Sequence, residues 1–182
     1  MSVRIYGHRL LKTLPGLATR PTASKVRQAL FNVWQGKIEG CRWLDLCAGN
    51  GTLGAEALCR GASRVVAIEN SAAVCALLRT NWQPLVQSHQ SIEIIRCNVL
   101  QLYSHLEGQS FDRIYFDPPY HSGLYEPVLA AIARQKLLAP YGEMAIEHDE
   151  NFQPPLIFGE LEQRDQKKYG KTRLSFYRLL SE

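Results

Sequence analysis

The segment Asp45-Leu46-Cys47-Ala48-Gly49-Asn50-Gly51-Thr52-Leu53-Gly54 decides the fold. Its glycines stand in G-x-G-x-x-G spacing between an apolar run and a helical pattern, as in a strand that turns tightly into a helix and brings its backbone close to a ligand. Glu69 follows at the end of the next strand-like run, about 20 residues on, where a carboxylate reaches a ribose diol. Spacing alone suits a dinucleotide as well as S-adenosyl-L-methionine.

Asp45 separates these two ligands. A carboxylate just ahead of the loop would face the pyrophosphate of a dinucleotide and repel it. S-adenosyl-L-methionine has no phosphate and carries an ammonium and a sulfonium, which an acidic strand end favours. A triphosphate-binding loop is a weak alternative, because its Lys-Ser/Thr pair is absent. A plain turn, with glycines serving only close packing, leaves Asp45 and Glu69 unexplained. Asn98, after the third strand-like run, can accept from an adenine amino group through its amide oxygen.

Outward from the loop, short apolar runs alternate with helical patterns. Strands are expected at 42–47, 64–69, 92–97, 111–116 and 143–148, and helices at 52–60, 72–82, 99–105 and 124–135. This alternation predicts an α/β fold, a parallel sheet with helices on both faces. Two further strand-like runs, 156–163 and 172–180, flank a turn-prone 167–171 and predict an antiparallel pair at the sheet's end. Ahead of the first strand, 22–34 reads as an amphipathic helix with Val26, Leu30, Phe31 and Trp34 on one stripe, capped by Thr22 or Ser24. Residues 1–20 read as a hairpin or loop arm.

Asp117-Pro118-Pro119-Tyr120 falls after the strand 111–116, at the carboxyl edge where open α/β sheets bind ligands. An exocyclic base amine is a poor nucleophile because its lone pair is delocalised into the ring. Acceptors aimed at its two hydrogens draw the nitrogen toward tetrahedral geometry. The Asp117 carboxylate can take one N–H and the Pro118 carbonyl the other, with the prolines fixing both directions. Tyr120 offers a ring for a flipped-out base, a contact worth roughly 1–3 kcal/mol. A plain strand-ending turn would also use Asp and Pro, but it does not account for the glycine loop on the neighbouring strand. This chemistry needs no metal.

The 182 residues suit one domain with a small appendage. With 46% hydrophobic and 21% charged residues, the composition excludes disorder and fibrous repeats. No apolar run approaches the roughly 20 residues of a membrane span, and no signal-peptide core follows Met1, so no membrane association and a cytoplasmic address are expected. Five cysteines without a C-x-x-C pair indicate neither a disulfide framework nor a zinc site. The net charge of +4 is unevenly spread: residues 1–40 hold seven Lys/Arg against one acid, and residues 161–182 six against three. Basic ends around an acidic middle suit a polyanion gripped at the edges and a cationic ligand at the centre. A solvated lysine-rich surface would show a similar asymmetry.

The methyl-donor loop followed by Asp-Pro-Pro-Tyr resembles the amino methyltransferases. Three more stretches narrow the likeness: Arg20-Pro21-Thr22 with Val26-Arg27 and Leu30-Phe31-Asn32; Gly54-x-Glu56-Ala57-Leu58-x-Arg60-Gly61-Ala62; and Tyr169-Gly170-Lys171-Thr172. Together they resemble the RsmD-type small-subunit (16S) ribosomal RNA guanine-N2 methyltransferases over nearly the whole chain. The resemblance implies a Rossmann-like class I methyltransferase with a seven-stranded, mostly parallel sheet whose last strand is antiparallel. The order of elements along the chain divides it into a basic arm, 1–21, and one methyltransferase domain, 22–182. The resemblance further implies a monomer that takes S-adenosyl-L-methionine and methylates one guanine of ribosomal RNA in the small subunit or an assembly intermediate. Asp45, Ala48, Gly49, Gly51, Glu69 and Asn98 would bind the donor, and Asp117, Pro118, Pro119 and Tyr120 would hold the guanine. Arg20, Thr22, Arg27, Tyr169 and Lys171 would meet the RNA. Asn98 stands where relatives often carry an acid.

Rival readings remain open at this point. A DNA adenine-N6 methyltransferase shares both motifs, although such enzymes usually add a sequence-recognition domain for which this chain has no room. A glutamine-amide methyltransferase normally has Asn in place of Asp117. A dinucleotide oxidoreductase would bind nicotinamide, and a non-catalytic RNA-binding module would keep the basic ends with no use for Asp117-Pro118-Pro119-Tyr120.

Overall fold

The computed structural model describes residues 2–14, 21–120 and 122–180, and at 21–23 the backbone only. An antiparallel hairpin of β1 (Ser2–Arg4) and β2 (Leu10–Lys12) comes first. After α1 (Pro21–Val33), strands and helices alternate through β3 (Arg42–Leu46), α2 (Thr52–Cys59), β4 (Arg64–Glu69), α3 (Ala72–Trp82) and β5 (Ser91–Arg96). The alternation continues through α4 (Tyr103–Leu106), β6 (Phe111–Phe116), α5 (Tyr125–Arg134) and β7 (Leu138–Asp149). β8 (Ile157–Phe158), β9 (Leu161–Tyr169) and β10 (Thr172–Leu179) follow.

The central sheet has the order β5-β4-β3-β6-β7-β10-β9-β8. Strands β5, β4, β3, β6 and β7 are mutually parallel, and β10 is antiparallel to β7. From β3 the chain moves outward to β4 and β5, then returns to β6 on the other side. This reversal opens a crevice at the carboxyl ends of β3 and β6.

Strand side chains alternate between two cores. Trp43, Val65, Ala67 and Tyr115 join one cluster, and Leu44, Val66, Ile68, Ile114 and Phe116 the other. Strands buried on both faces must be apolar in succession, which is why β4 reads Arg-Val-Val-Ala-Ile-Glu. Helix α1 lays the expected stripe of Val26, Leu30, Phe31 and Trp34 into the first core, all at most 1% exposed. There Phe31 stacks on Trp43 at 5.5 Å, and the Trp34 edge meets Trp43 at 5.4 Å and Phe176 at 6.1 Å. Val3, Ile5 and Leu11 of the hairpin are buried in the same core.

Helix α3 and strands β4 and β6 coincide with the sequence reading, the strand expected at 143–148 extends back to Leu138 as β7, and three further details correct the reading. The sheet has eight strands, not seven, because 156–163 is not one strand. Gly159 (φ 58°) reverses the chain there, and β8 pairs back on β9 through Phe158 and Leu161. The turn expected at 167–171 contracts to Gly170 (φ 63°) and Lys171, with Lys167, Lys168 and Tyr169 on the ladder opposite Leu174, Arg173 and Thr172. An outer strand with one wet face tolerates lysines, so their charge is not a turn signal. The helix expected at 99–105 divides into a 3₁₀ turn, Val99–Gln101, and the short α4, with the turn capped by Asn98 Oδ1 accepting from Leu100 N at 3.0 Å.

The turn from β3 into α2 rests on Trp82. This fully buried ring donates Nε1–H to the Gly51 carbonyl at 2.9 Å. A methyl at Gly51 would lie 2.1 Å from Leu78 Cδ2, and one at Gly54 2.4 Å from the Trp82 ring. Gly54→Ala gains about 1 kcal/mol in helix propensity but forces an overpacked contact costing about 1–3 kcal/mol. A lower denaturant midpoint is expected for this variant in equilibrium unfolding, and an unchanged or raised midpoint would show that Trp82 does not seat the loop.

Candidate functional site

A cavity of about 1220 Å³ opens at the carboxyl edge of the sheet, lined by the glycine loop, the ends of β4 and β6, and the β9–β10 turn. It joins Asp45, Ala48, Gly49, Glu69 and Asn98 to Asp117, Pro118, Pro119 and Tyr120. Residues far apart in sequence meet because each lies at or just beyond the carboxyl end of a parallel strand and those ends are in register. Leu46 pairs with both Ile68 and Phe116, and Phe116 with Ile146.

The loop is shaped from its first residues. Cys47 takes φ 60°, a left-handed conformation that non-glycine residues rarely adopt, and so swings the chain out of β3. The buried Asp45 carboxylate accepts from Gly54 N at 3.2 Å and ties the strand end to the first turn of α2. Glu69 accepts from Gly49 N at 3.1 Å and Ser71 N at 2.8 Å, which fixes its orientation at the end of β4. At Gly49 an added methyl would meet only the Cys47 carbonyl, at 3.9 Å, so this corner of the loop is open.

The expected roles of Gly49 and Gly51 therefore differ. Gly49 lines the cavity, whereas Gly51 (φ 72°) does not and instead packs under Trp82 and Leu78. The side-chain oxygen of Asn98 caps the turn at Val99–Gln101.

Acids outnumber bases in the lining. Asp45, Glu69, Asp117, Glu147 and Asp149 all line the cavity, against Arg27 and Lys171 as its Lys and Arg members among the described residues. Burial raises the Asp45 carboxyl to about 7, with the Gly54 N–H pulling it down and the Glu69 charge pushing it up. Burial, then the charges of Glu69, Asp117 and Asp45, pushes the Cys47 thiol up to about 12, so it stays protonated. Such a pocket is poised for a cation.

Among the lining residues that escaped the sequence reading, Tyr115 and Glu147 are hydrogen-bonded to each other. Tyr115, buried at the end of β6, donates its hydroxyl to Glu147 on β7. Burial, then the Glu147 and Asp117 charges, holds its phenol well above 10, so Tyr115 remains a neutral donor. Glu147 was legible by the logic applied to Asp117, an acid at the carboxyl end of an apolar run. Tyr115 sits inside its run and carries no such signal.

The residues expected at the RNA scatter. Lys171 is exposed at the β9–β10 turn on the cavity rim, and neighbouring Thr172 has its hydroxyl 3.4 Å from that of Tyr120. Tyr169 packs on the core beside the cavity. Arg27 is only 8% exposed, with Nε on Glu56 Oε2 at 2.9 Å and Nη2 on the Arg4 carbonyl at 2.9 Å, a placement unlike that of a surface RNA contact. Arg20 lies outside the described residues, as does the side chain of Thr22.

A doubly wound sheet ending in an antiparallel strand, with its cavity between a glycine loop and an Asp-Pro-Pro-Tyr edge, defines a Rossmann-like class I methyltransferase. The chain belongs to the RsmD-type methyltransferase family: a family described as conserved hypothetical protein 95 matches residues 3–178. A ribosomal RNA small subunit methyltransferase D of Haemophilus influenzae is 33% identical over 153 residues, covering 84% of this chain and 78% of the relative. The protein of the same name from Escherichia coli K12 is 28% identical over 163 residues, covering 90% and 80%. A solved Escherichia coli structure bearing a methyltransferase name superimposes with a TM-score of 0.85 at 26% identity, covering all of both chains. A Haemophilus influenzae structure bearing a methylase name gives 0.81 at 28%, again over all of both chains.

Because folding raises the Asp45 pKa, the stability linked to this group is fully present below its unfolded value near 4 and is lost as pH rises through about 7. Asp45→Asn cannot ionise yet can still accept from Gly54. The melting temperature of the wild type minus that of Asp45→Asn is expected to fall between pH 5 and pH 8 in ligand-free protein. A difference that is flat or rises with pH would remove the assigned titration.

Proposed function

We propose that the protein is an S-adenosylmethionine-dependent methyltransferase that modifies the exocyclic N2 amine of a guanine in small-subunit (16S) ribosomal RNA. The observation that carries this reading is the single cavity joining Glu69 to Asp117. Its volume of about 1220 Å³ exceeds the roughly 300–1,000 Å³ of a pocket for one small ligand, which leaves room for a donor and a base together. The names of the Haemophilus and Escherichia relatives support ribosomal RNA as substrate.

The residues present fit the donor. Asp45, raised to about 7 by burial, gains from a nearby ammonium. Each Glu69 oxygen already accepts one backbone N–H and keeps capacity for a ribose hydroxyl. Cys97 and Val99, both buried, offer an apolar wall for a base. When bound, the donor supplies an activated methyl on its sulfonium.

On the substrate side, Asp117 accepts one N–H of the guanine amine and the Pro118 carbonyl the other, which directs the nitrogen lone pair toward the donor side of the cavity. Tyr120, held near Thr172, gives the base a stacking face. In-line positioning of this kind supplies roughly 7–11 kcal/mol of rate acceleration. The basic arm and the β9–β10 turn grip the surrounding phosphates.

Asp117→Ala is expected to keep donor affinity within about threefold in calorimetry and to lose about a hundredfold or more in turnover. The assay incubates labelled donor with unmodified small subunits and identifies the methylated nucleoside by mass spectrometry. Near-normal turnover in the variant, or a product other than N2-methylguanine, would overturn the reading. RNA affinity should also fall steeply from 50 to 200 mM salt, and a flat dependence would remove the basic ends from RNA binding.

A further inference from the structure

The guanidinium of Arg27 has three nitrogens and, among the described residues, two partners. Nε binds Glu56 at 2.9 Å, Nη2 binds the Arg4 carbonyl at 2.9 Å, and Nη1 is buried with no hydrogen-bond partner among the described residues. The side chain is 9% exposed and lines the cavity. A buried donor left unpaired is costly, so its partner must come from outside the protein's own described contacts.

The local charge has the same sign. Glu56, with a side chain 4% exposed, serves Arg27 and also Arg60, whose Nη2 lies 2.7 Å from its other oxygen. Two guanidiniums share one carboxylate, so Glu56 neutralises Arg27 only in part at the edge of an otherwise acidic cavity. A buried cation that is only partly neutralised can take a further anion.

Position identifies the anion. Asp45 is hydrogen-bonded to Gly54 and Arg27 is paired with Glu56, two residues further along α2. Both groups are tied to α2 and both line the same cavity. A carboxylate-binding and an ammonium-binding group in one cavity match the head of an α-amino acid, whose two charges share one carbon.

We propose that Arg27 holds the α-carboxylate of the donor's amino-acid head while Asp45 faces its ammonium, which makes Arg27 a donor-binding residue and not an RNA contact. The assignment rests on the donor reading above. Arg27 also grips the Arg4 carbonyl, so the N-terminal hairpin is part of the frame that holds the donor.

The test compares S-adenosylmethionine with its decarboxylated analogue, which keeps the sulfonium and amine, by calorimetry on the full chain. The wild type should bind the carboxylate-bearing donor roughly 10- to 100-fold more tightly, as expected for a charge-assisted hydrogen bond to a buried guanidinium. Arg27→Met should bring that ratio to within about threefold while leaving affinity for the decarboxylated analogue unchanged. Arg27→Lys retains a cation for Glu56 but not the guanidinium fork, and should lower the ratio by about tenfold even if the methionine variant does not fold. Equal wild-type affinities, or full discrimination in both variants, would overturn the assignment while leaving the methyltransferase reading intact. Absence of binding by either ligand to the wild type would instead remove the donor reading itself.

Discussion

The seating of the glycine loop on Trp82 is the contact on which the site depends. The indole fills the space left by two absent side chains and hydrogen-bonds the Gly51 carbonyl, so α2 starts directly above the end of β3. With α2 there, Gly54 N meets Asp45 and Glu56 meets Arg27. The loop is therefore a rigid floor set by close packing, and only its Gly49 corner is left open to the cavity.

Parallel pairing supplies the second constraint. Adjacent parallel strands in register deliver their carboxyl ends to one edge, so acids that follow separate apolar runs gather at a common level. Asp45, Glu69, Asp117 and Glu147 line one cavity for this reason and for no local one. Gathering carboxylates in a partly dry cavity is unfavourable for the protein alone, and the raised Asp45 and Cys47 pKa values record that cost. Folding energy is thereby exchanged for affinity toward a cation.

The N-terminal region belongs to the same construction. Reading it as an arm captured the hairpin but not its attachment. Val3, Ile5 and Leu11 are core residues, and the Lys12 backbone exchanges two hydrogen bonds with the side-chain amide of Asn81 in α3, its N–H donating to Oδ1 at 3.0 Å and its carbonyl accepting from Nδ2 at 2.9 Å. Arg60 lies over the rings of Tyr6 and Phe31 at 4.3 and 4.6 Å and links hairpin, α1 and α2. A basic segment in sequence thus divides into cations that face outward and cations that hold the frame, and charge counting cannot tell these apart.

What the sequence alone determined was everything carried by local periodicity and short-range spacing: the alternation of strands and helices, the α1 stripe, the glycine loop, and Asp117-Pro118-Pro119-Tyr120 at a strand end. These are legible because backbone geometry repeats every two or 3.6 residues and because glycine and proline restrict φ in known ways. Tertiary structure alone decided which members of those patterns face the cavity. It separated Gly49 from Gly51, moved Arg27 from surface to interior, brought Tyr115 and Glu147 to the site, and split the expected strand at Gly159. The physical reason is that burial and partner choice depend on contacts between distant segments, which a linear pattern of residue types does not encode.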